Sequence, residues 1–423
     1  MVLDKYFTWP KKTATKKIIS APPTGPKLLI TESLDLRKIV WQGALDLGKL
    51  HPLFGTGVET FAYSYFFVRP VSHNLTSEWD FIYNKAHNEY LNYLATTGFV
   101  GLFTYLFLIA VVLFHLLKKT IKKDKLSFYL FLAYCSILFT NFFGFATSSV
   151  TLFFYFIPAF WYISTNQGSP PVNPTPRRSF SPKDYMLSFI VLLVSVSLLW
   201  YLINYYRGDV LFAKANQQIK NENYPQAVQL LQRAIQLHDE HVYEDKYAFM
   251  LANTAYVAAY NKQDETAKQL MKLADYSSRK SIKASPENMN YWKTRSKIYY
   301  IFYQLTLEKK YLEEGVGALT QAKILAPSDP RPSYSLALYY SLLESEADGA
   351  KNQNMYRQLA FSEIDRALVL KPNYYEASLL KGQLLKKINQ PEAARAVFQK
   401  MLAQFGSDEA ILDELKSLYT TRK

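Results

Sequence analysis

The residues of this chain that are best suited to chemistry lie in its first quarter. His87 stands in the phrase Ala86-His87-Asn88-Glu89, which we predict to open a helix. The positive end of a helix favours the neutral imidazole, which accepts a proton. Arg37 offers complementary chemistry, because a guanidinium stays charged and matches phosphate oxygens in pairs. Judged alone, however, each side chain is more often structural, as a packed histidine or a solvated helix charge.

A glycine-rich phrase lies between these two residues. Gly55 and Gly57 flank Thr56 and predict a tight turn, where the backbone bends or approaches another group closely. A phosphate-binding loop is not indicated, because no Lys-Ser/Thr pair follows. Glu59 comes just after the turn and is either an orienting group or a solvated carboxylate. This region has no paired carboxylates and no His-x-x-x-His spacing, so we expect a site without a metal or another cofactor.

The elements that must position these residues are predicted to be membrane helices. Four apolar stretches approach the roughly 20 residues that cross a bilayer. Residues 126–176 contain no Asp, Glu, Lys or Arg, which is unusual for a core helix of a soluble protein. We place the spans at approximately 99–117, 126–144, 149–165 and 185–206. No span carries a charged residue to line a path, which disfavours a channel or transporter.

Basic residues set the orientation of these spans. Five lysines lie between residues 118 and 125 against one acid, Asp124, and Arg177, Arg178 and Lys183 precede the last span. Short cytoplasmic loops carry such an excess of Lys and Arg. Residues 1–98 and 207–423 are therefore predicted to lie outside. The net charge of +14 is concentrated near the spans, since residues 1–206 hold 19 basic and 10 acidic residues; we expect no nucleic acid partner.

The start of the chain conflicts with an external position unless further spans precede it. Met1–Pro10 contains no apolar leader segment, and Lys11, Lys12, Lys16 and Lys17 would resist translocation. We therefore expect this chain to be the C-terminal part of a longer membrane protein.

The second half of the chain shows a repeated pattern of small residues. Ala215, Tyr224, Ala227, Leu231 and Ala234 recur in spacing as Gly382, Pro391, Ala394, Phe398 and Met401. Prolines at 286, 327 and 372 each follow a helical phrase. This pattern resembles the tetratricopeptide repeat, in which small residues let paired helices approach closely. We predict an α-solenoid over residues 207–423 whose middle repeats have longer helices or loops. Such a solenoid binds a protein partner or serves as a spacer or stabilising cap, and the sequence leaves these alternatives open.

Three phrases before the first span occur together and carry a second resemblance. They are Leu36-Arg37-Lys38-Ile39-Val40-Trp41, the stretch from His51 to Phe61, and the stretch from Ala86 to Leu94. Together they resemble the O-antigen ligase and polymerase superfamily of bacterial envelope glycosyltransferases, over residues 34–165. The resemblance implies that Arg37 holds the diphosphate of a polyprenyl-linked donor and that His87 acts on the acceptor hydroxyl. It makes Lys38 and Arg69 weaker candidates for the diphosphate. The residues expected to shape the site are Trp41, Gly55, Gly57, Glu59 and Asn88.

The sequence thus predicts an all-α protein, with an external loop segment at 1–98, a partial membrane helix bundle at 99–206 and a helical repeat domain. The resemblance implies a bacterial inner-membrane glycosyltransferase of polysaccharide biosynthesis that is metal-independent and inverting. Its motif loop and repeats would face the periplasm. The acceptor stays open between a lipid, a growing glycan and a protein. The alternative is a catalytically inactive, membrane-anchored repeat scaffold for envelope assembly.

Overall fold

The computed structural model describes residues 31–165 and 181–420. The lysines predicted to resist translocation, and Arg177 and Arg178 of the predicted cytoplasmic loop, lie outside the described residues. Within the described ranges every regular element is helical, with sixteen α-helices and one short 3₁₀ helix, which confirms the all-α prediction.

The first six helices include the predicted site segment and the apolar stretches. They are α1 (Ser33–Leu50), α2 (Phe61–Val68), α3 (Glu89–Ile121), α4 (Lys125–Phe143), α5 (Ser148–Thr165) and α6 (Pro182–Lys220). The 3₁₀ helix Val71–Leu75 lies between α2 and α3.

The remaining ten helices form the repeat region. They are α7 (Tyr224–Leu237), α8 (His241–Tyr260), α9 (Asp264–Ala284), α10 (Met289–Thr306), α11 (Lys309–Leu325), α12 (Pro330–Ser345), α13 (Ala350–Leu370), α14 (Tyr375–Lys387), α15 (Pro391–Phe405) and α16 (Glu409–Thr420).

Three helices in the described part of the chain are long and apolar enough to cross a membrane. These are α3, α4 and α6. In the most apolar stretch of α6 no residue is buried by protein, and an apolar surface of this length requires lipid to cover it. The fourth predicted span, 149–165, forms helix α5, which contains Pro158. By length and composition α5 is not among the three, so a fourth span stays a prediction.

The chain divides into two compact units. One contains residues Glu32–Pro70 and Phe81–Arg207, and the other contains Val71–Asp80 and the repeat region from Gly208 onward. The external segment and the apolar helices, which the sequence analysis separates at residue 98, thus pack in one unit. Residues 71–80 join the repeat unit instead.

Helix α1 packs one face into the core of the first unit. Leu36, Val40, Ala44 and Leu47 recur at helical spacing and are buried, while the opposite face is polar. They pack in one cluster with side chains of α2 and of the loop before α3, including Phe61, Tyr65, Tyr83 and Ala86. This cluster fixes α1, which carries Arg37, against the segment that carries His87.

The repeat unit is built from helical pairs that end where the sequence predicts. Pro286, Pro327 and Pro372 each follow the end of the second helix of a pair, α9, α11 and α13. The wide spacing of these prolines reflects the helices between them. Helices α10 and α11 have 18 and 17 residues and α12 and α13 have 16 and 21, against 13 and 15 in α14 and α15. A Cβ at Gly382 would lie 2.3 Å from the Phe398 ring, so a small residue is required there.

Candidate active site

His87 lies in a sharp turn immediately before α3. Its backbone adopts a left-handed conformation with φ of 56°. Helix α3 begins at Glu89, and the Asn88 side chain caps it by accepting a hydrogen bond of 3.0 Å from the backbone N–H of Leu91. The prediction that His87 opens the helix was therefore two residues early, since Asn88 takes the capping position.

The hydrogen bond of the His87 ring defines which nitrogen can accept a proton. Nδ1 lies 3.0 Å from the carbonyl oxygen of Lys85. A carbonyl only accepts hydrogen bonds, so Nδ1 carries the hydrogen, and in the neutral ring Nε2 is then the acceptor. The rings of Tyr83 and Phe145 meet the imidazole edge to face, at centroid distances of 5.5 and 5.3 Å. These contacts hold the ring in a defined orientation.

Glu59 forms an ion pair with Lys85. Its carboxylate lies 2.5 Å from the Lys85 ammonium. The Glu59 side chain is 66% exposed and the Lys85 side chain 22% exposed. The ion pair and this exposure fit both alternatives for Glu59, so its orienting role stays a prediction.

Arg37 reaches the carbonyl end of helix α4. Its Nη1 donates a 2.6 Å hydrogen bond to the carbonyl oxygen of Phe143, the last residue of that helix. A cation at this position is favoured by the helix dipole. The contact uses one of the five N–H groups of the guanidinium.

Arg37 and His87 both contact the segment where α4 ends and the chain turns towards α5. Trp41, one helical turn after Arg37, donates a 3.3 Å hydrogen bond from Nε1 to the His87 carbonyl oxygen and contacts Phe142 edge to face. Arg37 contacts Phe143, and His87 contacts Phe145. We call residues 142–146, which comprise the last two residues of α4 and the three that follow, the bridging turn. Arg37, Trp41 and His87 all contact it.

Glu89 binds the last residue of the bridging turn. Its carboxylate accepts a 3.0 Å hydrogen bond from the backbone N–H of Ala146. Glu89 lies in the histidine phrase, but neither it nor Tyr83 or Phe145 was a predicted site residue. The contacts that involve the bridging turn join positions more than 50 residues apart, so no local pattern predicts them.

The glycine turn interlocks with a break in α3. Gly55 and Gly57 have positive φ, as does Gly98, where α3 is kinked. The backbone N–H groups of Thr56 and Gly57 donate to Ala95 and Thr96, while Phe99 donates to Pro52 at 2.7 Å. A Cβ at Gly55 would lie 2.4 Å from the Thr96 backbone. The predicted close approach therefore exists, and its partner is the backbone of α3.

The two weaker phosphate candidates lie in different surroundings from Arg37. Lys38 forms an exposed ion pair with Asp35 at 2.9 Å. Arg69 is only 3% exposed, and its guanidinium lies 5.9 Å from the centroid of the Phe66 ring. Their predicted roles stay predictions, and Arg37 is the cation that shares the bridging turn with His87. Among the described residues, no cluster of three or more His, Cys, Asp and Glu side chains is arranged to hold a metal ion.

A family model matches the segment that holds the candidate site. The family model described as O-antigen ligase matches residues 31–106, which include α1, the glycine turn, His87 and the start of α3. No curated protein matches the chain. The match and the three apolar helices support a membrane glycosyltransferase-like function in general terms, with a lipid-linked glycan as the class of substrate.

Solved structures similar to this chain include tetratricopeptide repeat proteins. A thermophilic repeat protein of Thermus thermophilus is 18% identical, with a TM-score of 0.35 over 50% of this chain and 99% of its own. PilF of Pseudomonas aeruginosa is 20% identical, with a TM-score of 0.36 over 52% and 86%. Yeast Tom70 is 14% identical, with a TM-score of 0.34 over 92% and 71%. These scores are low, so the repeat assignment rests on the helical pairs themselves. Residues 31–106 thus match the O-antigen ligase family model, and the chain continues past three helices apolar enough to cross a membrane into helical pairs like those of tetratricopeptide repeats.

Proposed function

We propose that the ligase domain transfers a glycan from a polyprenyl diphosphate to an acceptor hydroxyl at the outer face of a bacterial inner membrane. His87 is the proposed base and Arg37 the proposed diphosphate ligand. The observation that carries the proposal is the bridging turn, which Arg37 contacts at Phe143 and His87 at Phe145. Two residue types that glycosyl transfer needs, a proton acceptor and a phosphate ligand, thus lie around one short segment.

The reaction begins with removal of a proton from the acceptor. The acceptor hydroxyl gives its proton to Nε2 of His87, whose Nδ1–H is held by the Lys85 carbonyl. The hydroxyl oxygen then bonds to the anomeric carbon of the glycan. Attack from the face opposite the leaving group inverts the anomeric configuration.

The second change is departure of the carrier. The bond between the anomeric carbon and the diphosphate oxygen breaks, and its electron pair stays on the polyprenyl diphosphate. Arg37 stabilises this developing charge with N–H groups beyond the one donated to Phe143. The proposed reaction uses no metal or other cofactor.

The arrangement of the apolar helices suits a lipid carrier. Helix α3 begins beside the site residues and, after the kink at Gly98, continues through the apolar stretch at 99–117 before it ends at Ile121. A polyprenyl tail beside α3 would place the diphosphate near the start of the helix. Acceptors of three kinds fit this chemistry, namely a lipid, a growing glycan and a protein.

The experiment is transfer of a labelled, polyprenyl-linked glycan by the full native chain in membranes or lipid nanodiscs. We expect His87→Ala to lower the transfer rate by roughly 10²- to 10⁴-fold, as for loss of a general base. Arg37→Ala should lower it by roughly 10²- to 10³-fold, and Arg37→Lys should restore part of the activity.

Matched controls are available in the same domain. His51 is an exposed histidine, and Lys49 is an exposed cation on the same helix as Arg37, paired with Asp46. His51→Ala and Lys49→Ala should keep wild-type transfer. Full activity in His87→Ala would refute the base, and equal losses in all four alanine variants would refute a specific site. A native chain that binds the donor without transferring it would favour the inactive scaffold.

A further inference from the structure

Residues Val71–Asp80 belong structurally to the repeat unit although they lie within the ligase domain in sequence. We call them the docking segment. Both neighbours in the chain, Pro70 and Phe81, belong to the first unit, which we call the ligase unit. The segment is therefore an excursion of ten residues from one unit into the other.

Asn74 makes buried polar contacts with the repeat helices. Its side-chain amide donates to the carbonyl oxygens of Ser328 and Leu370, at 2.7 and 3.0 Å. Its own carbonyl oxygen accepts a 2.7 Å hydrogen bond from the ammonium of Lys371. Asn74 is fully buried. One residue thus bonds to the ends of two successive helical pairs, which lie more than 250 residues away in sequence.

Trp79 forms the second anchor. Its ring meets Tyr374 edge to face at 5.5 Å, the Lys371 ammonium lies 4.4 Å from the ring centroid, and the Arg331 guanidinium lies 5.7 Å from it. Arg331 is itself held by a two-pronged contact with Asp329. A tryptophan between two cations and an aromatic ring is a specific anchor rather than a chance surface contact.

The docking segment also has an ordered shape of its own. The Thr76 backbone N–H and hydroxyl both donate to the carbonyl oxygen of His73, at 3.1 and 2.9 Å. His73 is fully buried, and Thr76 is 4% exposed. The segment therefore presents Asn74 from the 3₁₀ helix and Trp79 from the turn that follows it, and not from an extended loop.

The docking segment lies close in sequence to the proposed catalytic residue. Only Asp80, Phe81 and Ile82 separate Trp79 from Tyr83, whose ring contacts His87. Tyr83 is buried in the ligase core, and Trp79 is anchored in the repeats. Three residues therefore connect the Trp79 anchor to the tyrosine whose ring contacts the His87 imidazole.

We propose that the repeat domain is a positioning element of the ligase, and that the surface made by Ser328, Arg331, Leu370, Lys371 and Tyr374 takes this chain's own docking segment as its ligand. Asn74 and Trp79 are positioning residues that act through Tyr83 on His87. This inference rests on the proposed function for its catalytic consequence, whereas the docking itself does not.

The test uses hydrogen exchange and transfer kinetics on the same full-length chain in nanodiscs. Two variants remove one docking interaction from either side: Trp79→Ala in the segment and Lys371→Met in the repeats. Leu75→Ala is the matched control within the segment, because Leu75 is 56% exposed. Lys351→Met, at an exposed position, is the control in the repeats.

We expect both docking variants to lose protection of the Thr76 amide and to lower kcat by roughly 10- to 100-fold, the cost of a misplaced catalytic group. The KM for the donor should change little, because Arg37 is untouched. Trp79→Phe should restore part of both signals, and the double variant should be no worse than the more impaired single variant. The Lys371→Met substitution lies outside the ligase unit, so a lower kcat in this variant does not come from a change within that unit.

Two results would overturn the inference. Unchanged Thr76 protection in both docking variants would refute the docking. Lost protection with wild-type kcat in Lys371→Met would refute the positioning role. If the wild-type chain transfers no glycan, the exchange data still decide the docking, and the failure then belongs to the proposed function.

Discussion

Replacement of Gly98 by alanine tests the interlock between α3 and the glycine turn. Gly98 has φ of 64° and ψ of −166°, a combination adopted almost only by glycine, and strain there costs about 1–3 kcal/mol. The new Cβ would also lie 2.4 Å from the carbonyl carbon and oxygen of Leu53. These are backbone atoms, so the turn itself must move by about 1 Å to reach ordinary contact. We expect a total destabilisation of about 3 kcal/mol or more.

The assay for Gly98→Ala is thermal or denaturant unfolding of the full chain in detergent, with hydrogen exchange of residues 52–57 and 95–100 as a local readout. Gly317→Ala is the matched control, because Gly317 lies inside α11 with no atom within 4 Å of a new Cβ. It should leave stability unchanged or raise it by about 0.5–1 kcal/mol. Equal unfolding midpoints and equal exchange in Gly98→Ala and the wild type would refute the interlock.

Two further predictions concern the helix cap and a buried carboxyl group. Asn88→Ala removes the cap of α3 and should destabilise the ligase unit by about 1 kcal/mol, whereas Asn88→Ser should not, as measured by unfolding. Burial raises the pKa of Asp245 from 3.8 to about 7, although Thr294, Lys246 and Lys297 lower it. Its folded form thus favours the protonated carboxyl, so the stability of the repeats should fall as pH rises from about 4 through 7. Asp245→Asn should remove this pH-dependent loss of stability and stabilise the repeats at about pH 8 by on the order of 2 kcal/mol. An equal pH dependence of unfolding in the variant and the wild type would contradict the raised pKa of Asp245.

The repeat fold was largely predictable because its determinants are local. Helix-ending prolines at 286, 327 and 372, and small residues such as Ala227 and Ala394, act within or between adjacent helices. Their effect depends on spacing along the chain, which the sequence displays directly. The apolar stretches were predictable for the same reason.

The site was predictable only in its local parts. The resemblance of three short phrases to a known family pointed to His87 and Arg37, and the paired glycines pointed to the turn. The predicted start of α3 was too early at His87. The sequence does not show that His87 has a positive φ and that Asn88 is the cap, so both residues were assigned to the first turn of the helix. The contact of Gly98 with the glycine turn and the anchoring of Trp79 depend on tertiary packing, which no local spacing encodes.

Arg37 and His87 are proposed to serve one reaction centre. The most direct measurement is single-turnover transfer from a labelled polyprenyl diphosphate donor by His87→Ala, Arg37→Ala and the double variant in nanodiscs. Residues that stabilise one transition state lose activity non-additively, so the double variant should be about as slow as the slower single variant. Losses that multiply in full, or a single variant with wild-type turnover, would show that the two side chains do not share a site.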